Sequence, residues 1–334
     1  MIWLEFIGSS LLIVFAATRL AGYGDAISIR TRMGGLFVGT LLMAGATSLP
    51  ELLTSINAIN QGVPNLTVGN IFGSCMFNMF LLAMIDLLYR RLHILRRLAI
   101  THALSGGLAL LLIGLSVFFI LAQVDITVGW VGLDSIVLIA LYLFGTRILF
   151  GGNRESGAGD PPAPEDFEGV PTLRRAGIGF VLAALALVAI TPLLVSSSTG
   201  IAEATGLSTG FVGIALVGII TSLPEVVTTV QASRIGAYDL AAGNLFGSNI
   251  FNIFTLGLTD LFYVDGRFLA EVSDIMSIAG MLALIVTNLA LLGNLVRHLA
   301  WGETRRQIVE LDAALIVVVY LLGMWLLYSR GLIG

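Results

Sequence analysis

Long unbroken apolar runs dominate this chain. Strict alternation of apolar and polar positions would mark half-buried strands, and a narrow apolar stripe would mark a soluble amphipathic helix. Ten runs approach or exceed the length of about 20 residues that carries an α-helix across a bilayer. They fall at about 2–22, 34–60, 65–89, 98–121, 129–150, 174–195, 207–231, 238–262, 275–296 and 311–329. A transmembrane barrel would instead show alternating segments of about ten residues. The pattern predicts an all-α membrane protein of ten transmembrane helices. Between the fifth and sixth runs, 151–172 includes Asp160-Pro161-Pro162-Ala163-Pro164-Glu165-Asp166, which reads as an exposed cytoplasmic linker.

Composition agrees. Over 334 residues the chain is 57% hydrophobic and 11% charged, with mean hydropathy +0.97, whereas soluble domains carry about 25% charged residues. Met1-Ile2-Trp3-Leu4-Glu5 lacks a basic region, so no cleavable signal peptide is expected. The lone Cys75 excludes a disulfide within the chain and a multi-thiolate metal site.

The placement of charge says more than its net value of −4. All 17 basic residues are Arg. Loops after runs 1, 3, 5, 7 and 9 hold Arg30, Arg32, Arg90, Arg91, Arg96, Arg97, Arg147, Arg154, Arg174, Arg175, Arg234, Arg297, Arg305 and Arg306. The other side holds Arg267 and Arg330, with Arg19 near the end of the first run left uncounted. That bias places both termini outside the cytoplasm of a cell that carries the protein in its plasma (cytoplasmic) membrane. Arg90-Arg91 and Arg96-Arg97 could also meet anionic membrane lipid. Every basic cluster sits at a membrane edge, so no nucleic acid partner is expected.

The chain also repeats itself. Residues 38–86 and 212–260 align without a gap at an offset of 174. Thr47-Ser48-Leu49-Pro50-Glu51 matches Thr221-Ser222-Leu223-Pro224-Glu225; Gly69-Asn70, Phe72-Gly73-Ser74 and Phe77-Asn78 match Gly243-Asn244, Phe246-Gly247-Ser248 and Phe251-Asn252. The halves are then 1–150 (motif 38–86) and 173–334 (motif 212–260), joined by the linker. Five spans per half is odd, so the second half enters the membrane from the opposite side. Such inverted-topology repeats bring matched motifs together near the midplane.

The matched motifs carry the chemistry. An intramembrane carboxylate is expensive, and Glu51 and Glu225 lie well inside runs 2 and 7. Pro50 and Pro224 cannot donate to the carbonyls of Ala46 and Ile220, which predicts broken helices 2 and 7 with freed backbone oxygens. Ala44, Thr47 and Glu51 share a helix face, as do Gly218, Thr221 and Glu225; Ser74 pairs with Asn78, and Ser248 with Asn252, at i, i+4. Carboxylate, hydroxyl, amide and carbonyl oxygens suit Na⁺, Ca²⁺ or Mg²⁺ rather than zinc or copper. Gly69 with Gly73, and Gly243 with Gly247, read as close-packing positions. Two carboxylates carry −2, which one Ca²⁺, two Na⁺ or two H⁺ neutralises. Competition for the same oxygens gives exchange. A passive channel would use the same oxygens, but paired repeats with broken helices favour a carrier. An intramembrane enzyme lacks partners, since no His or Cys accompanies either Glu in its motif. No cofactor is expected.

Paired T-S-L-P-E followed by G-N-x-x-G-S-x-x-x-N resembles the alpha-repeats of the cation/Ca²⁺ exchanger superfamily, and most nearly the sodium/calcium exchangers. The resemblance implies a secondary antiporter exchanging Na⁺ for Ca²⁺ by alternating access, with spans 1 and 6 sliding against the other eight. It implies ligands from Glu51, Glu225, Thr47, Thr221, Ser48, Ser222, Ser74, Ser248, Asn78 and Asn252, completed by the carbonyls of Ala44 and Gly218. Asn252 stands where the K⁺-dependent branch has Asp, which implies transport without K⁺. Exchange of Ca²⁺ or another divalent cation for H⁺ is the alternative. The expected partners are Na⁺, Ca²⁺ and membrane lipid, with a monomer as the functional unit.

Asp86 and Asp260 recur at span ends and are expected at the solvated interface. Asp134 and Asp312 are expected as caps or interfacial residues at span starts. His93, His102 and His298 are also expected at the interface. Asn57 and Gln231 pair across the repeat and either line an ion path or make helix-packing hydrogen bonds.

Overall fold

The computed structural model describes residues 1–31, 44–88, 102–151, 169–300 and 309–331. It is helical apart from a two-residue hairpin. The helices are α1 (Ile2–Thr31), α2 (Leu49–Asn60), α3 (Pro64–Leu88), α4 (Ala103–Ala122), α5 (Leu133–Gly151) and α6 (Leu173–Thr205). They continue as α7 (Thr209–Thr221), α8 (Leu223–Arg234), α9 (Tyr238–Thr259), α10 (Ile275–Ala300) and α11 (Val309–Gly331). Strands β1 (Thr127–Val128) and β2 (Val131–Gly132) pair antiparallel just before α5, with Thr127 opposite Gly132.

Among the described residues, seven helices are long and apolar enough to cross a membrane, or eight if α7 and α8 form one span bent by 43°. The protein is thus a multi-pass helical membrane protein, a coarser statement than ten spans. Residues 34–43 of the second run and 152–168 of the linker, with His93 and the Arg90–Arg97 cluster, lie outside the described residues.

Two helices are much longer than their apolar runs. α1 continues to Thr31 and α6 to Thr205, because Tyr23, Asp25, Ser196 and Glu203 end an apolar run without ending a helix. α6 stops only at Gly206, whose φ of 71° provides a left-handed cap. Arg30, read from the sequence as a loop residue, lies in the last turn of α1 and donates to the carbonyls of Pro171 (3.1 Å) and Val170 (2.6 Å).

The exterior differs from that of a soluble protein. Apolar side chains coat its exterior, for example Leu4, Leu11 and Phe15 on α1, Leu182 and Leu185 on α6, and Leu321 and Trp325 on α11. Hydroxyls, amides and the carboxylates of Glu51 and Glu225 are buried inside, among apolar cores. A hydrocarbon surround favours this arrangement, because it cannot satisfy polar groups facing outward.

Packing divides the helices into two bodies. One core joins α3, α4, α5, α9, α10 and α11 through residues such as Phe72, Met76, Ile113, Phe246, Leu256, Ala283 and Ile316. The other is built mainly from α1 and α6, which run against each other through Ile13, Ala17, Leu20, Leu187, Leu194 and Ile201. Ala46, Ala58, Leu66, Val212 and Val217 supply the surface on which this pair rests.

Four expectations about polar residues change. Asp260 is fully buried at the end of α9 and accepts the N–H groups of Gly132 (2.7 Å) and Phe268 (2.8 Å). It ties the hairpin to the chain after α9 rather than standing in solvent. Asp86, its repeat equivalent, is likewise buried. Asp134 does sit in the first turn of α5 and accepts the Ser135 N–H (2.8 Å), but it is buried and lies 3.6 Å from the guanidinium of Arg267. His102 is buried against Phe246, its ring stacked at 6.4 Å, because α9 passes over the start of α4.

Candidate functional site

Residues 44–47 are helical, Ser48 has left the helix (φ −89°, ψ 8°), and Leu49 starts α2. Ser222 repeats the break between α7 and α8 (φ −87°, ψ 4°). Pro50 and Pro224 occupy the second position of the new helices rather than the interior of a kinked one. There their missing N–H removes no helical hydrogen bond. The break comes first and the prolines fix its place. Glu51 and Glu225 consequently sit in the first turn of α2 and α8, where the helix dipole favours negative charge.

Both carboxylates are fully buried, and each is held by serines from both halves of the chain. Glu51 Oε1 accepts Ser222 Oγ at 3.2 Å and Ser74 Oγ at 3.5 Å. Glu225 Oε1 accepts Ser48 Oγ at 3.2 Å and Ser248 Oγ at 3.2 Å. Exchanging the halves by the offset of 174, which takes 51 to 225, 74 to 248 and 222 back to 48, turns the first set into the second.

The same oxygen is used each time. Glu51 Oε2 and Glu225 Oε2 are buried without a hydrogen-bond partner, and so are Asn78 Oδ1 and Asn252 Oδ1. These four acceptor oxygens, on two matched pairs of residues, are left unsatisfied. Buried acceptors are rarely left so, and each costs about 1–3 kcal/mol. Hard acceptors with no donor are what a cation without directional demands requires.

The remaining expected ligands take other partners in this arrangement. Thr47 Oγ1 donates to the Ala44 carbonyl at 3.2 Å, which also accepts the Ser48 N–H at 2.9 Å. The Gly218 carbonyl accepts Ser74 Oγ at 3.1 Å and the Ser222 N–H at 3.3 Å. Thr221 Oγ1 donates to Asn70 Oδ1 at 2.9 Å. The matching pair does not form: Asn244 Oδ1 has no partner, while its Nδ2 donates to Thr228 at 3.0 Å. The two halves are thus alike in their Glu–Ser contacts and unlike in these Thr–Asn contacts.

Asn57 and Gln231 diverge as well. Asn57 Nδ2 donates to the Leu53 carbonyl (2.8 Å) and to Thr191 Oγ1 on α6 (2.9 Å), a helix-packing role, whereas Gln231 is exposed.

Close approach of α3 to α7 holds the two halves together. A methyl on Gly73 would lie 2.7 Å from Ile214 Cα, one on Gly213 2.7 Å from the Leu66 carbonyl, and one on Gly218 2.9 Å from the Ser74 nitrogen. The packing role expected for Gly69 with Gly73 is therefore met by backbone-to-backbone contact. α7 also contains a π-helical turn at Gly213–Val217, where the Gly218 N–H bonds the Gly213 carbonyl five residues back. Its extra residue shifts the face that leads into Thr221 and the break.

Three residues that sequence reasoning did not single out as site residues complete the polar centre. Asn70 bridges Thr221, Ser55 Oγ (3.3 Å) and the Glu51 carbonyl (3.3 Å). Asn249 and Cys75 stand behind the two amides, as described below.

Comparison with known proteins adds a family. The family model described as "Sodium/calcium exchanger protein" matches residues 1–151 and 176–329. The sodium/calcium exchanger MaX1 of Methanosarcina acetivorans is 46% identical over 84 residues, 25% of this chain and 24% of that one. Among solved structures, the sodium-calcium exchanger NCX_Mj soaked with Na⁺ and Sr²⁺ superposes with TM-score 0.56 at 22% identity, covering 97% of this chain and 99% of that one. The H⁺/Ca²⁺ exchanger CAX superposes with TM-score 0.65 at 12% identity, covering 99% and 90%. At these identities the structural likeness concerns the fold.

Proposed function

The chain belongs to the sodium/calcium exchanger protein family, and on that premise we propose that it exchanges Na⁺ for Ca²⁺ by alternating access at one site between Glu51 and Glu225. Members of this family are antiporters, not enzymes. One observation carries the reading: the unsatisfied oxygens of Glu51, Glu225, Asn78 and Asn252 in a fully buried centre. A Ca²⁺ ion takes six to eight oxygens. Those four supply the core of the set. Ser48, Ser74, Ser222 and Ser248 can add hydroxyl oxygens, and Thr47, Thr221 and the carbonyls of Ala44 and Gly218 join as their present hydrogen bonds exchange.

Charge sets the coupling. The empty site bears two carboxylates in a low-dielectric interior and resists exposure to the other face, whereas one Ca²⁺ or two Na⁺ cancels the charge. The fold in this reading is ten spans in two inverted five-helix repeats, with α1 and α6 as the moving pair. Their separate core favours that motion, since two packed bodies can slide without either losing its interior. The contrast between Thr221–Asn70, which is bonded, and Thr47–Asn244, which is not, fits one of two access states related by exchanging the halves. Asn252 in place of an acid fits a site without K⁺. The unit is a monomer in the plasma membrane, surrounded by lipid, with both ends on the non-cytoplasmic side.

Proteoliposomes loaded with Na⁺ and diluted into Na⁺-free medium test the counter-ion. Ca²⁺ uptake is expected to exceed that driven by an imposed pH gradient by about tenfold or more, the discrimination expected from about 1.4 kcal/mol. Uptake that follows the pH gradient and ignores Na⁺ would instead assign proton coupling.

A further inference from the structure

Two residues outside the expected ligand set govern which end of each amide meets the ion. A carboxamide has one accepting and one donating end of nearly equal size, so the environment decides its orientation. A cation-binding Asn must present oxygen, because a flipped amide presents two N–H donors. At Asn78 this choice is made by Asn249. Asn78 Nδ2 donates to Asn249 Oδ1 at 2.9 Å, and Asn249 is itself oriented because its Nδ2 donates to the Cys75 carbonyl at 3.3 Å. The chain of hydrogen bonds leaves Asn78 Oδ1 as the open atom.

The repeat places Cys75 behind Asn252 as it places Asn249 behind Asn78, both at the offset of 174. Among the described residues, the partner of Asn252 Nδ2 is the Cys75 sulfur, at 4.0 Å. Thiol sulfur is a weak acceptor, so this half holds its amide loosely while leaving Asn252 Oδ1 equally open. All four residues are fully buried.

We propose that Asn249 and Cys75 are positioning residues that turn the amide oxygens of Asn78 and Asn252 to the transported cation, firmly in the first case and loosely in the second. This rests on reading Asn78 and Asn252 as ligands. A specificity consequence follows. The firmly held amide suits an ion with demanding coordination, and the loosely held one can adapt when ions of different charge and number alternate in the site.

The test is Ca²⁺ binding to the purified full-length protein, measured by titration calorimetry alongside thermal unfolding. Asn249→Leu, or Asn249→Ala if the first does not fold, is expected to weaken Ca²⁺ about tenfold, the loss of one net hydrogen bond. In an Asn78→Ala background the same change is expected to weaken it no further. Cys75→Ala is expected to shift affinity less than about twofold, in keeping with a weak sulfur contact. Cys75→Asn, which copies the other half, should tighten binding about threefold by providing an amide oxygen, with the gain absent in Asn252→Ala. A loss from Asn249→Leu that persists at full size with Asn78 removed would mark a packing defect and overturn the proposal. Equal losses at positions 75 and 249 would overturn it too. If Asn78→Ala leaves binding unchanged while Glu51→Gln abolishes it, the ligand role of Asn78 falls and the positioning role with it. If Glu51→Gln also binds normally, the site itself is misplaced.

Discussion

Glu51→Gln or Glu225→Gln lowers Na⁺-driven Ca²⁺ uptake by at least about 100-fold, because each change both removes a charge and reverses a dipole. In Glu51, Oε1 is engaged by Ser222 and Ser74, and in Glu225 by Ser48 and Ser248. Hydroxyl donors need an acceptor, so the amide oxygen of Gln takes the place of Oε1. The amide nitrogen then stands where the unsatisfied Oε2 was. A donor pair facing the cation is repulsive, and the site keeps only one negative charge against an ion of +2. The serine contacts survive, so the variants should unfold at close to the unaltered temperature. Proteoliposome flux and thermal unfolding, measured on the same preparation, separate the two effects. Uptake within about threefold of the unaltered protein, in either variant, would contradict the assignment.

Gly73→Ala, which leaves the charges untouched, is expected to destabilise the protein by about 3 kcal/mol, the upper end for one added methyl in a packed interior. The new carbon would meet Ile214 Cα and the Ile214 carbonyl, both at 2.7 Å. These are backbone atoms of the π-helical turn and cannot rotate aside, so α3 and α7 must separate. Separation moves Ser74 from Gly218 and Ser222 from Glu51. Its repeat partner Gly247 is expected to tolerate Ala, since among the described residues the added carbon meets only the Ala44 methyl, at 3.3 Å. Thermal unfolding of the two purified variants checks this, and equal destabilisation would show that the α3–α7 contact has been misread. The pair is instructive because the sequence repeat makes the two glycines equivalent. Packing does not.

Much of the fold was legible because a bilayer restricts what a chain can do. Apolar runs had to be helices, and the matched Ser-Leu-Pro-Glu motifs had to be accounted for in a buried centre. Glu51 and Glu225 were visible as acids where acids are costly, and the serines as their fixed neighbours. What stayed hidden depended on backbone geometry or on tertiary neighbours. Hydropathy measures how far a helix is bathed in lipid, not where it ends, so the extensions of α1 to Thr31 and α6 to Thr205 carried no signal. The prolines were legible as breakers, but their place in the first turn of α2 and α8 depends on where Ser48 and Ser222 leave the helix. The π-helical turn had only Gly213 and Gly218, five residues apart, to announce it.

Asn249 was missed for a different reason. Comparing the halves favours positions that match, and its equivalent is Cys75, so the mismatch removed both from view. In the folded chain that mismatch is where the halves differ in how they hold the two amides. Asp260 was misplaced because a carboxylate at a span end is usually solvated, and sequence could not show that the N–H groups of Gly132 and Phe268 come to meet it.

The central claim is that a cation occupies the space left by four unsatisfied oxygens. Crystals of the full-length protein grown with Sr²⁺ as a Ca²⁺ stand-in, with data recorded for anomalous scattering, test it directly. The account predicts one strong anomalous peak with Glu51 Oε2, Glu225 Oε2, Asn78 Oδ1 and Asn252 Oδ1 all within about 2.3–2.8 Å, the oxygen distances of a large divalent cation. A peak elsewhere in the protein, with those four oxygens still unpaired or turned onto one another, would contradict it.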